Sequence, residues 1–177
     1  VGKYFYKPTP TFGLDIGHGS LKVMQLDDDS FRPRVLGYGQ AAFKASAVNN
    51  GVIAEPEVVA EEVFKLLTET MIGGVSSRQF VTAAPVANTY NSLIKLPLMK
   101  QDELEESVLL EAEQIIPLPL DQLYLDFQVI SKGEEDQQVM FVAIPRTIVD
   151  SYLQLAELLG LEMQAIETTI DSTVRVI

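Results

Sequence analysis

Apolar residues recur along the chain at two periods, and the switches between them mark its elements. Residues 12–15 form a short apolar run that enters Gly17 and Gly19. Residues 20–27 follow with Leu21, Val23 and Leu26, an alternation partly offset by Met24, and residues 35–43 carry glycines at 37 and 39. Turn chemistry lies at both joints, Gly17-His18-Gly19 first and Asp27-Asp28-Asp29-Ser30 second, so the stretch predicts a meander of two hairpins. The period then changes. Val59, Val63, Leu66 and Leu67 fall at i, i+4, i+7 and i+8, which predicts a helix over 56–70. Pro56 suits its first turn, Gly73-Gly74 stops it, and Glu61 and Lys65 form a favourable i, i+4 pair. A short apolar strand is expected at 79–83, completing a β-β-β-α-β order.

A second unit begins after Pro85. Residues 89–96 read as a strand ended by Pro97. Residues 102–116 read as a helix with Asp102, Glu103, Glu105 and Glu106 in its first turns, where the helix dipole favours acids. Leu104, Val108, Ala112 and Ile115 are its expected buried face, and Pro117 and Pro119 end it. Residues 123–130 alternate as a half-buried strand, 132–137 form a polar hairpin tip, and 139–144 a buried strand. A helix at 148–159 closed by Gly160 and a strand at 162–166 complete a split βαβ pattern. Residues 169–177 look like the start of a further element, with Thr169 or Asp171 as its cap. The first eleven residues read as an extended arm, since Pro8 and Pro10 forbid regular pairing. Its aromatics, Tyr4-Phe5-Tyr6, read as packing on their own domain or as a partner contact. The chain shows no internal repeat and no low-complexity tract.

Composition narrows the function classes. The chain has 177 residues, 47% apolar and 21% charged, which is ordinary for a globular chain able to bury a core. Its 13 Lys and Arg against 25 Asp and Glu give a formal charge of −12, which argues against a nucleic-acid binder. There is no cysteine, hence no disulfide framework, thiol catalysis or cysteine zinc site. No apolar run reaches the roughly 20 residues that span a bilayer. No signal peptide is evident. The chain opens on Val1 and not on Met, so upstream residues are expected to be missing or removed.

One stretch is rich in chemistry. In Phe12-Gly13-Leu14-Asp15-Ile16-Gly17-His18-Gly19-Ser20-Leu21-Lys22, a strand delivers Asp15 at its end and two glycines allow a tight turn whose N–H groups can face a phosphate. Ser20 adds a hydroxyl and Lys22 a cation. A carboxylate beside phosphates implies a metal between them, so Asp15 points to Mg²⁺ held through water. The spacing is not that of a P-loop, and a strand follows where a helix would be needed. Taken alone, the pattern is also that of a hairpin turn with an incidental lysine. The tandem acids 27–29 lack ligand spacing and read as a solvated turn. Glu111 and Glu113 do not share a helix face.

Asp-Ile-Gly opening a β-β-β-α-β unit resembles the start of the actin-like ATPase fold, and residues 13–26 resemble the phosphate hairpin of the PilM family of type IV pilus assembly proteins. Leu93-Ile94-Lys95-Leu96-Pro97 with Asp102-Glu103-Leu104, and above all Glu111-Ala112-Glu113-Gln114-Ile115-Ile116-Pro117-Leu118-Pro119-Leu120, are similar to that family's passages. So are residues 125–129 and 153–162. The likeness covers nearly all of 12–169. It implies an α/β (α+β) actin-like fold of the FtsA type in a chain corresponding to the first half of such a protein. Residues 12–85 would be subdomain 1A with the phosphate hairpin, 86–161 the inserted subdomain 1C, and 162–177 the return strand and the start of the next element.

The resemblance also implies function. Asp15, Gly17, His18, Gly19, Ser20 and Lys22 would bind ATP, with Asp15 holding Mg²⁺ through water. His18 stands where the family usually carries a small hydroxyl residue, and Gly19 also departs from its pattern. With no acid placed to orient it, His18 reads as a turn residue and not as a base. The expected role is a cytoplasmic scaffold peripheral to the inner membrane, acting in pilus biogenesis and twitching motility with other platform proteins and the motor. Its expected partner is the cytoplasmic N-terminal peptide of a PilN-like membrane protein, in a groove between the subdomains that includes Ile116, Leu118 and Leu120. Leu118, Leu120 and Met99 are equally readable as closing the core beneath the helix. The alternatives are a type II secretion platform domain, an FtsA-like division protein, or an actin-fold ATPase or kinase. Hydrolysis is at most slow in a complete protein and absent from residues 1–177 alone.

Overall fold

The computed structural model describes residues 10–27 and 32–168. Most of the expected arm, the middle of the acidic turn and the element expected at 169–177 lie outside the described residues. In chain order the strands are β1 (Thr11–Ile16), β2 (Ser20–Leu26), β3 (Val35–Ala42), β4 (Val48–Asn49), β5 (Val52–Ile53), β6 (Ile72–Gly73), β7 (Gln79–Ala84), β8 (Tyr90–Pro97), β9 (Leu123–Lys132), β10 (Asp136–Pro145) and β11 (Glu162–Thr168). The α-helices are α1 (Pro56–Lys65), α2 (Gln101–Ile115) and α3 (Arg146–Leu159). Thr11, expected in the arm, is the first residue of β1, paired with Gln79.

The chain divides into two units, Val1–Ala84 with Asp150–Ile177, and Pro85–Val149. The second boundary therefore falls earlier than the expected Leu161. The reason lies in α3, whose later residues belong to the first unit: the Ser151 hydroxyl accepts a hydrogen bond from the Ile53 N–H at 3.1 Å.

The first unit is built on a six-stranded sheet in the order β11-β7-β1-β2-β3-β6. β1 pairs antiparallel with β2 and parallel with β7, and β11 joins β7 in parallel. Alternation sends Phe12, Leu14, Ile16, Leu21, Val23, Phe80 and Ala84 to one buried face, with the rings of Phe12 and Phe80 5.9 Å apart. Val59 and Val63 of α1 and Tyr152, Leu155 and Ala156 of α3 are buried too.

Four details depart from the expected pattern. Gln25, not Leu26, continues the buried row of β2, because strict alternation from Leu21 and Val23 reaches it and its amide finds partners. Its Oε1 accepts from the Ser76 N–H at 2.7 Å and its Nε2 donates to Ser76 Oγ at 3.0 Å, so the polar group is buried without being orphaned. The helix expected over 56–70 is α-helical only to Lys65 and closes with a π-helical turn, Leu66–Thr70. Beyond it Ile72–Gly73 forms the edge strand β6, with Gly73 at φ 76°, where a Cβ would lie 2.1 Å from the Leu36 carbonyl oxygen. A small hairpin, β4–β5, turns at Asn50-Gly51, both at positive φ.

The second unit is a three-stranded antiparallel sheet, β8-β10-β9. Leu104, Val108 and Ala112 of α2 share its core with Ile94, Leu96, Val139 and Phe141. Glu103 accepts a 3.4 Å bond from the Lys100 N–H, helping to cap the helix start. Ile115, expected in the core, is 47% exposed, and Ile116 takes the place. The helix ends between them: Ile116 is extended at φ −92°, ψ 126°, and its side chain turns inward. The β9–β10 hairpin also reaches further than its polar sequence predicts. Lys95 pairs with Asp136 at 2.7 Å, and the Gln137 amide donates to the Pro97 carbonyl at 3.0 Å.

Candidate functional site

The hairpin between β1 and β2 gathers the residues singled out for phosphate. The Gly17 N–H donates to the Ser20 carbonyl at 2.8 Å, closing a turn with His18 and Gly19 at its tip, and the Gly19 carbonyl accepts from Phe43 N–H at 3.0 Å. Gly17 and Gly19 are not among the positive-φ residues, so the turn does not rest on left-handed glycine backbone. The Gly17 N–H, expected to face phosphate, is taken by the turn itself. Among the described residues the N–H groups of His18 and Gly19 have no hydrogen-bond partner. His18 and Ser20 are exposed.

Asp15 and Lys22 stand opposite one another in the β1–β2 register, Nζ to Oδ2 at 3.3 Å, and both side chains are more than half exposed. They border a cavity of about 1050 Å³ over the open face of the sheet, which also takes in Gly13, Met24, Tyr38, Gln40, Ile72 and Glu167. Reading the sequence missed these residues. Period 2 counted back from Asp15 and forward from Lys22 would have found Gly13 and Met24, whereas Tyr38, Ile72 and Glu167 depend on strand pairings that no local pattern encodes.

The fit to a metal is specific in kind. Among the described residues no group of three Asp, Glu or His side chains could cage an ion. A lone carboxylate at a hairpin suits a Mg²⁺ that keeps most of its waters and takes further ligands from phosphate. Behind the hairpin, burial first and then the charge of Asp15 push the Tyr152 phenol up to about 12. Its hydroxyl and that of Thr82 are buried without a partner among the described residues.

The expected groove residues lie in the second unit. Ile116 is buried in its core, and Leu118 and Leu120 are half-buried against that core. Among the described residues, no helix is long and apolar enough to cross a membrane.

A mixed sheet opening on an Asp/Lys hairpin, interrupted after β7 by a separate antiparallel unit, is a partial actin-like fold. Residues 13–172 match the family described as type IV pilus assembly protein PilM, and the chain belongs to that family. Among solved structures it is similar to the PilM-PilN type IV pilus biogenesis complex, with 26% identity, a TM-score of 0.85, and coverage of 96% of this chain and 50% of that one. It also resembles the cytoplasmic domain of EpsL, an inner-membrane component of the type II secretion system of Vibrio cholerae, with a TM-score of 0.58 and 15% identity over 90% of this chain and 57% of that one. That second likeness is one of fold. The chain thus spans about half the length of the solved chains it matches.

Proposed function

We propose that this chain forms part of a scaffold for type IV pilus assembly, at the cytoplasmic face of the inner membrane, that binds the N-terminal cytoplasmic peptide of a PilN-type membrane protein and contributes half of a site for Mg·ATP. The observation that carries the reading is the likeness over 96% of the chain to a PilM-PilN complex. Among the described residues none is placed as a base for hydrolysis, so a scaffold is favoured over an enzyme.

In the nucleotide part, Asp15 would hold Mg²⁺ through water, the His18 and Gly19 N–H groups and the Ser20 hydroxyl would bind phosphate oxygens, and Lys22 would neutralise charge after leaving Asp15. The ion would screen the phosphate charge. In the peptide part, apolar side chains of the partner would meet Leu118 and Leu120, with Ile116 anchoring their segment to the core. Its two prolines keep that segment stiff, so little entropy is lost on docking.

The test is a titration of a labelled peptide with the N-terminal sequence of the PilN-type protein from the same genome into residues 1–177. Binding in the micromolar range is expected, as suits a small interface. Leu118 is half-buried, so Leu118→Ala is the variant to use: it trims the contact without burying a charge. It should weaken binding by roughly tenfold, the equivalent of about 1.4 kcal/mol. A folded chain that ignores the peptide, or a Leu118→Ala chain that binds undiminished, counts against this placement.

A further inference from the structure

The sheet of the second unit has two edges, β8 and β9, and they are guarded unequally. β8 carries Lys95 and ends in Pro97, two residue types that blunt an edge. β9 runs for ten residues without a proline, its one lysine stands at the last position, and the irregularity in its ladder lies beyond Val129. Among the described residues it pairs only with β10. Over Leu123–Val129 the guard is a side chain of the strand itself. The Phe127 N–H donates to Asp126 Oδ1 at 2.9 Å. Phe127 stands opposite Phe141, so this is a ladder position whose backbone groups point away from β10. Period 2 turns the N–H and C=O of Leu125 and Val129 to the same open edge. Tyr124 and Ile130 are 40% and 50% exposed, and Asp126 and Gln128 between them are exposed as well.

The order of side chains shows what fits beside this edge. Consider a second β9 laid antiparallel to the first about a two-fold axis at Phe127. Leu125 then meets Val129, and Phe127 meets its own copy, on the face whose side chains pack on the core with α2. On the other face Tyr124 meets Ile130 and Asp126 meets Gln128. Apolar residues face apolar ones, and each carboxylate faces an amide. An axis one residue earlier would set Asp126 against Asp126, and one residue later would set Asp126 against Ile130. Such self-complementarity is what a two-fold interface requires.

We infer that β9 is the contact edge for a second copy of this chain, joining two three-stranded sheets into one of six strands. Asp126 is the cap of that edge in the monomer. On pairing it releases the Phe127 N–H to the carbonyl of the second copy and takes the Gln128 amide instead. The interface lies below the roughly 1,200 Å² of stable complexes, so the dimer is weak, with a Kd of about 0.1 mM.

Sedimentation equilibrium of residues 1–177, from about 10 μM to about 1 mM, reads this association. Gln128→Lys faces Asp126 twice in each dimer and is expected to tighten it roughly five-fold, whereas Gln128→Glu is expected to loosen it as much. Gln164→Lys, at an exposed position of the other unit, makes the same change in net charge and is expected to move it little. Gln128 is exposed, so both substitutions leave the fold intact, as circular dichroism checks. A chain that stays monomeric at the highest concentration would overturn the proposal and leave the edge to a strand of another protein. Association that the two Gln128 variants leave unmoved or shift in one direction, or that Gln164→Lys shifts as far, would overturn it as well.

Discussion

Asp15 and Lys22 occupy one rung of the β1–β2 ladder and satisfy each other across it, Nζ to Oδ2 at 3.3 Å. Exposed pairs of this kind contribute about 0.2–1 kcal/mol. Asp15→Ala and Lys22→Ala should therefore leave the melting temperature of residues 1–177 nearly unchanged. Nucleotide binding should respond differently. Residues 1–177 alone are expected to bind Mg·ATP weakly and to release no phosphate. In a chain of full family length, ligand at about 100 times its Kd adds on the order of 2.7 kcal/mol of stability, and Asp15→Ala should remove most of that thermal shift. Calorimetry with a phosphate-release assay checks the first part. Micromolar binding or turnover by residues 1–177 would contradict a half-site.

The Gln25 amide supports Ser76 at both its N–H and its hydroxyl, inside a buried position. Ser76→Ala leaves the Nε2 donor of the fully buried Gln25 without its acceptor, at a cost of about 1–3 kcal/mol. Gln25→Leu removes the buried amide with both of its bonds, and the N–H of the exposed Ser76 can turn to water, so it should cost less. Urea denaturation of the two variants should show that order. The reverse order would show that the bond to the Ser76 N–H matters more than satisfaction of the buried amide.

Gly73 and Gly160 are both at positive φ, yet they differ in surroundings. A Cβ at Gly73 would meet the Leu36 carbonyl at 2.1 Å, whereas a Cβ at Gly160 meets nothing within 4 Å. Gly160→Ala should cost about 1 kcal/mol for conformation alone. Gly73→Ala carries the same conformational cost plus a backbone clash, and should cost appreciably more while freeing β6 from β3. Amide exchange at Gly74, whose N–H donates to Leu36 at 3.3 Å, is the direct reading of that loss.

Alkaline pH should destabilise the first unit through Tyr152. Burial and then the Asp15 charge raise its phenol from 10.0 to about 12 in the folded chain. An acid with a raised folded pKa gives its full contribution below the unfolded value and loses it as pH rises toward the folded one. Stability should thus fall between about pH 10 and pH 12, by on the order of 2–3 kcal/mol. Tyr152→Phe should flatten that fall. At neutral pH it should be close to neutral or mildly stabilising, since the hydroxyl it removes has no partner among the described residues. An unchanged alkaline slope in the variant would assign the fall to other groups.

Much of the fold was legible because it is local. The meander, the α1 stripe and the acidic start of α2 follow from period and caps, and the structure contains them within a few residues. Misplaced residues lie where a distant partner decides. Gln25 is buried because Ser76, far along the chain, satisfies it. Ile115 and Ile116 exchange roles because the helix ends between them, and α3 leaves the second unit because Ser151 bonds to Ile53. The Asn50-Gly51 turn is a different case, for its dipeptide is a hairpin signal that local reading could have used. At the candidate site, Asp15 and Lys22 were legible from spacing. Tyr38, Ile72 and Glu167 were not, because each reaches the cavity through a strand added later in the sheet.

The sheet order also sets a schedule. β11 pairs with β7, yet the whole Pro85–Val149 unit is synthesised between them. At about 5–20 residues per second, several seconds separate the emergence of the two strands from the ribosome. The inserted unit, with its own antiparallel sheet, can fold during that wait. The parallel edge of β7 stays unpaired until β11 arrives, and an unpaired edge invites pairing with another chain. Newly made chains are therefore most exposed to misassembly after the second unit is complete and before Glu162–Thr168 takes its place.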